Sequence, residues 1–184
     1  MKIIFLDRDG VINEYPGHFQ YVTSWRNFKF SVGAKKALKK LFSAGYKIFV
    51  ISNQAGVTKG IYSQKILDAI TRNMLAELKN YGVKIAGVYY CIHINEDNCG
   101  CRKPKAGLIK KAMREHRLSK SLLKNTFVVG DSVRDIETGK NAGCRTILVL
   151  SGKENIKDRA SWAAKPDFIV KDLSKAVDTI LSIR

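Results

Sequence analysis

Six short apolar runs, residues 3–6, 47–51, 86–90, 126–129, 146–150 and 167–170, recur along the chain with helical patterns between them. Most are apolar at nearly every position, so a sheet with one wet face would leave half of their side chains in water. Runs of this kind pair in parallel and are covered by helices on both faces. Apolar spacing predicts a helix over 31–44, with Ser31 as its cap and Gly45 as its stop. Another is predicted over 63–80, with Leu67, Ile70, Met74, Leu75 and Leu78 at helical spacing, and 105–117, 133–142 and 173–182 complete the set. The expected architecture is a three-layer α/β/α sandwich around a mainly parallel sheet. At 184 residues, with no linker-like tract, the chain is expected to be one domain over 1–184.

The first run leads into Asp7-Arg8-Asp9-Gly10. A buried strand holds Asp7 at its carboxyl end, where open α/β sheets place their ligands, and a turn at Gly10 can return Asp9 to the same crevice. Two acids in one small volume are relieved by a hard divalent cation or by one of them holding a proton, states that suit a nucleophile and a general acid/base. The alternative is a polar turn with surface acids.

Further strand ends carry matching chemistry. Run 47–51 leads into Ser52-Asn53-Gln54-Ala55-Gly56, where a hydroxyl, two amides and backbone N–H groups could bind phosphate. Run 126–129 leads into Gly130-Asp131-Ser132-Val133-Arg134-Asp135, whose acids could ligate a metal or cap the next helix. In Arg102-Lys103-Pro104 the proline keeps Lys103 out of a helix, and a cation there could cancel phosphate charge. Two long loops, 13–27 and 91–104, break the economy of short connections and are candidates for function.

Three of the four cysteines lie close together, and Cys91, His93, Cys99 and Cys101 supply three thiols and an imidazole, a complete tetrahedral zinc set over loop 91–101. All four positions are filled, so the site reads as closed and structural, ordering the approach to Arg102 and Lys103. Cys144 reads as a small buried residue.

Lysine and arginine total 33 against 16 acids, a formal charge of +17. That suits nucleic acid, an anionic surface or small phosphorylated substrates, although many lysines fall on outer helix faces. No long apolar run is present, and the first residues turn polar at Asp7, so a cytoplasmic protein with no membrane span is expected.

D-R-D-G, S-N-Q, R-K-P and G-D-S-x-x-D, in this order, resemble the haloacid dehalogenase (HAD) superfamily of phosphatases over nearly the whole chain. The resemblance implies a Rossmann-like, HAD-like sandwich without an inserted cap domain. It implies Asp7 as the nucleophile forming an aspartyl-phosphate, Asp9 as the acid and then base, and Ser52 and Lys103 on the phosphoryl oxygens. It further implies Mg²⁺ held by Asp7, the backbone carbonyl of Asp9 and Asp131. Within the superfamily, C-x-H…C-x-C-R-K-P is similar to the D-glycero-D-manno-heptose-1,7-bisphosphate phosphatases and the related histidinol-phosphate phosphatases, the first being preferred. By that likeness Arg102, Asn53 and loop 14–21, with Tyr21, would select a small phosphorylated sugar, beside Gln54. The first loop carries extra residues around Tyr15–Phe19, Ile92 stands where Pro is usual, and Ser132 stands where some heptose enzymes have Lys.

Histidinol phosphate is a cationic rival substrate, for which Glu14 is the obvious acidic contact. A nucleic-acid 3′-phosphatase and a zinc-stabilised nucleic-acid-binding module are the remaining alternatives, with nucleic acid the less favoured partner. A monomer is expected.

Overall fold

The computed structural model describes residues 1–183. Its centre is β1, Lys2–Leu6, every residue of which after Lys2 is buried. Strand β2 (Tyr46–Asn53) pairs with it on one side and β4 (Phe127–Gly130) on the other, both parallel. With β3 (Ile85–Cys91), β5 (Arg145–Val149) and β6 (Phe168–Val170) the sheet has six parallel strands in the order β3-β2-β1-β4-β5-β6.

Alternation along each strand sends side chains to two cores. Ile4, Leu6, Ile48, Val50 and Val129 meet α1 (Ala34–Ser43), α2 (Gln64–Asn80) and α5 (Leu173–Ser182) on one face. Ile3, Phe5, Phe49, Ile51 and Val128 meet α3 (Gly107–Glu115) on the other. Beside it, Ile136 of α4 (Val133–Asn141) packs with Leu148 and Trp162. Because both faces are buried, the strands have no polar side, and the three-layer sandwich follows. No helix among the described residues is long and apolar enough to cross a membrane.

The chain leaves β1 to one side, through α1 to β2, and later returns to β1's other edge with β4. The two carboxyl ends therefore splay apart at the topological switch point, where open α/β sheets bind ligands. Asp7 follows β1 and Asp131 follows β4, so the switch point is lined by acids from both.

The first helix departs from expectation at its start. Ser31 does not cap it; the helix begins at Ala34 after Gly33, whose φ of +78° turns the chain in from the loop. Ser31 contributes its carbonyl instead, accepting from the Ala34 N–H at 3.0 Å. Gly33 also lies against Ser174 of α5, whose hydroxyl a Cβ there would meet at 2.9 Å. The helix expected over 105–117 is trimmed to Gly107–Glu115. Three short 3₁₀ turns, Trp25–Asn27, Lys120–Asn125 and Ile156–Ser161, had no apolar period to announce them.

Candidate active site

A cavity of about 150 Å³ at the switch point is lined by Asp7, Asp9, Ser52, Asn53, Lys103 and Asp131, together with Tyr15, Ser132, Arg134 and Lys153. Five sequence segments distant from one another thus supply one site. Asp7 is held by the neighbouring strand and by the next residue: its N–H donates to the Val129 carbonyl of β4 at 2.9 Å, and its Oδ1 accepts from the Arg8 N–H at 2.7 Å.

Carboxylate oxygens of Asp7, Asp131 and Asp135 lie within 4.8 Å of one another, and all three residues are buried. One ammonium serves this cluster. Lys103 Nζ is 3.0 Å from Asp7 Oδ1, also pairs with Asp135 Oδ1, and donates to the Ile51 carbonyl at 3.3 Å. Burial would by itself discharge this lysine, but Asp135 and Asp7 more than offset that and hold it protonated.

The acids remain short of positive charge. Burial, with the repulsion of Asp135 and Asp9, pushes Asp7 up to about 6 despite Lys103 and the Ser52 hydroxyl. Asp131 is pushed well above the carboxylate range by burial and then by Asp7 and Asp135. Such a site fits a hard, oxygen-preferring cation between Asp7 and Asp131. Asp135 is otherwise engaged: besides Lys103, its Oδ2 accepts from the N–H of Ser132 at 3.1 Å and from the Ser132 hydroxyl, which caps α4.

Asp131 is fixed from behind by the loop after β5. The Lys153 N–H donates to its Oδ2 at 2.8 Å, and Gly152 passes so close that a Cβ would lie 2.1 Å from that oxygen. Gly10, at φ +79°, makes the turn after Asp9, and its carbonyl accepts from Ser151 Oγ at 2.8 Å.

The remaining expected contacts are distributed unevenly. Asn53 lines the cavity, but its amide also clasps the Lys103 backbone, accepting from N–H at 3.0 Å and donating to the carbonyl at 3.2 Å. Arg102 lies outside this cavity; its guanidinium donates to Asn95 Oδ1 at 2.7 Å and to the His93 carbonyl at 2.9 Å, bracing the cysteine loop. Glu14 lines a neighbouring cavity of about 480 Å³ that shares Tyr15 with the first. Tyr21 packs on Tyr62 at 6.1 Å between ring centroids. Gln54 is buried and faces Asp9 rather than the opening.

Sequence reasoning passed over three cations. Arg8 is fully buried, and Arg134 and Lys153 line the cavity with no ion pair among the described residues. Arg8 had a signal in hindsight, since an arginine between two acids at a buried strand end has to pair with one of them.

The cysteine loop closes on four donors. The sulfurs of Cys91, Cys99 and Cys101 stand 3.3–3.6 Å apart, and His93 Nδ1 is 3.6 Å from Cys91 and 3.4 Å from Cys101. A zinc ion about 2.3 Å from sulfur and about 2.0 Å from imidazole sets donor separations of about 3.5–3.8 Å, and these lie within about 0.5 Å of that, with the sulfurs the closer together. Burial pushes Cys91 up to about 12. Cys99 is brought to about 7, because backbone N–H groups of Arg102 and Cys101 overcome its burial. Cys144 is buried in the core beside α3, as expected.

Comparison with known proteins bears on this geometry. Residues 100–176 match the family described as HAD-hydrolase-like. The chain is 38% identical over 168 residues to the D-glycero-beta-D-manno-heptose-1,7-bisphosphate 7-phosphatase of Helicobacter pylori strain 26695, covering 91% of this chain and 93% of that one. It is 43% identical over 138 residues to the corresponding alpha-anomer 7-phosphatase of Mycobacterium bovis, covering 75% and 71%. The crystal structure of D,D-heptose 1,7-bisphosphate phosphatase from B. bronchiseptica, complexed with magnesium and phosphate, superposes with a TM-score of 0.89 at 30% identity, covering 100% of both chains.

Proposed function

The chain belongs to the family of HAD-like heptose-1,7-bisphosphate 7-phosphatases, and on that premise we propose that it removes the 7-phosphate of D-glycero-D-manno-heptose 1,7-bisphosphate through a phosphoenzyme. The observation that carries this reading is the buried cluster of Asp7, Asp131 and Lys103 at the switch point, with Asp9 on the same cavity wall.

In the first step an Asp7 carboxylate oxygen attacks phosphorus. The bond from phosphorus to the sugar oxygen breaks, and Asp9 gives that oxygen a proton. In the second, water attacks the aspartyl-phosphate, Asp9 takes its proton, and the bond from phosphorus to Asp7 breaks to return the carboxylate. Ser52 and Lys103 hold the phosphoryl oxygens; Lys103 is fixed for this by Asp135 and by the Asn53 clasp on its backbone. Asp7, the Asp9 carbonyl and Asp131 would hold Mg²⁺, which supplies charge neutralisation at the phosphoryl group when bound. Cys91, His93, Cys99 and Cys101 would hold a structural Zn²⁺ that keeps the Arg102–Lys103 segment in place. Tyr15, Asn53, Arg134 and Lys153 face the substrate at the mouth, and Glu14 and Arg102 stand behind that ring.

A phosphate-release assay across heptose 1,7-bisphosphate, histidinol phosphate and 3′-phosphorylated oligonucleotides tests the reading. The bisphosphate should give the highest kcat/KM. Equal turnover of all three esters would overturn the substrate assignment.

A further inference from the structure

Asp9 is gripped from behind by an unusually complete set of donors. Arg8 Nε donates to Oδ1 and Arg8 Nη2 to Oδ2, each at 3.0 Å; Asn13 Nδ2 donates to Oδ1 at 2.9 Å and Gln54 Nε2 to Oδ2 at 2.8 Å. The carboxylate nevertheless keeps about a fifth of its side-chain surface open on the cavity side, at 22%. The clamp therefore leaves one face free for a reacting atom.

Gln54 is the hub of this set. Its Oε1 accepts from Tyr62 OH at 2.6 Å and from Arg8 Nη2 at 3.0 Å, and its Nε2 donates to Asp9 at 2.8 Å and to Ser52 Oγ at 3.2 Å. Two lone pairs and two hydrogens are the whole capacity of a carboxamide, so none remains for a ligand. The orientation is also fixed. Arg8 can only donate, so the oxygen must face it and the NH₂ must face Asp9 and Ser52. Tyr62 is buried, and that burial, with Asp9 and neighbouring phenols outweighing Arg8, keeps its hydroxyl protonated as a donor.

Gly56 completes the device sterically. A Cβ there would lie 2.2 Å from Tyr62 Cε1 and 2.9 Å from Tyr21 Cδ1, so the missing side chain is the space in which the Tyr62 ring stands. The glycine of the S-N-Q-A-G segment thus serves the tyrosine that orients Gln54.

We propose that Gln54, with Arg8 and Tyr62, is a positioning device for Asp9 that ties the proton-transferring carboxylate to the phosphate-binding Ser52, and is not a substrate contact. This rests on the reading above that Asp9 exchanges a proton with the leaving group. It assigns the tyrosine–glutamine–arginine relay a role in kcat, with little effect on affinity.

The test exploits leaving groups. A sugar alkoxide must be protonated as it departs, whereas p-nitrophenolate leaves as a stable anion, so a misplaced Asp9 should slow phosphoryl transfer to Asp7, the step read by kcat/KM, far more for the first ester than for the second, while the later attack of water on the aspartyl-phosphate is common to both. Kinetics of Gln54→Leu and Tyr62→Phe are compared with wild type on heptose 1,7-bisphosphate and on p-nitrophenyl phosphate. For Gln54→Leu, kcat/KM on the bisphosphate should fall about 30–100-fold, with KM changed less than about 3-fold and kcat/KM on p-nitrophenyl phosphate reduced less than about 10-fold. Tyr62→Phe, which removes one oxygen and preserves packing, should show the same bias at about 3–10-fold. Gly56→Ala, displacing Tyr62, should reproduce the Tyr62→Phe pattern. Equal losses of kcat/KM on both esters, or a rise in KM for the bisphosphate with kcat unchanged, would overturn the positioning role. Wild-type enzyme active on p-nitrophenyl phosphate but inert toward the bisphosphate would instead overturn the substrate proposed above.

Discussion

The Lys103–Asp135 pair should be coupled strongly enough to measure as stability. Lys103 Nζ lies 3.0 Å from Asp7, and both residues, like Asp135, are buried. At that separation and an effective dielectric of about 20, one such pair is worth about 5.5 kcal/mol of Coulomb energy before desolvation. Removing one member of a buried pair costs about 3–5 kcal/mol when its partner is left uncompensated; here Lys103 keeps Asp7 at 3.0 Å, so the loss should fall at or below the lower end of that range. Asp135→Asn keeps one oxygen to accept from the Ser132 N–H, so the helix cap survives, while the charge and the acceptor facing Lys103 are lost. Thermal unfolding should shift down by about 12 °C or less, at about 2–4 °C per kcal/mol for a chain of this size. Lys103→Met removes the ammonium that pairs with Asp7 and Asp135, and in that background Asp135→Asn should cost nothing or stabilise, since it deletes an unpaired anion. The double-mutant cycle, read by calorimetry or urea titration, should give a coupling of about 3 kcal/mol or more. A coupling under about 1 kcal/mol, with additive losses, would refute the claim that Lys103 is fixed by these acids.

Two further expectations concern the loop and the far edge of the sheet. Metal analysis should find about one zinc per chain, and Cys101→Ser should lose it together with protection of the 91–104 amides from hydrogen exchange; a zinc-free protein with that loop still protected would contradict the tetrahedral site. Although burial pushes Asp167 up, the Thr146 hydroxyl and N–H and then Lys140 prevail and lower it below its ordinary 3.8. The stability it adds should thus be present above pH about 4 and fade as pH falls through its folded value, so wild type and Asp167→Asn should converge in acid. A stability difference that grows as pH falls would reverse that sign.

Much of the scaffold was legible because its physics is local. The central strands β1, β4 and β5 are buried along nearly their whole length, so their sequences are continuous apolar runs, and α2 was readable from Ser63 to Asn80 because Leu67, Ile70, Met74 and Leu78 all face the core. The start of α1 was not, because Gly33 fixes it through a positive φ and contact with Ser174, 141 positions away, leaving Ser31 as a misleading cap. The acids at the switch point were visible because two strand ends carry them. What each neighbour does was not. Gln54 looks like a phosphate ligand beside Ser52 until Arg8 and Tyr62 are seen to saturate it. Arg102 looks like a pocket cation until Asn95 and the His93 carbonyl are seen to hold it. Arg134 and Lys153 look like surface charges until the first turn of α4 and the loop after β5 bring them to one rim.

The central claim is that the Asp7 carboxylate becomes phosphorylated during turnover. Acid-quenched enzyme from the pre-steady state with heptose 1,7-bisphosphate, digested and mapped by mass spectrometry, should carry a phosphoryl group on Asp7. Asp7→Asn should show neither adduct nor phosphate release. A phosphoryl group on any other side chain, or an Asp7→Asn variant that still hydrolyses the bisphosphate, would contradict the account.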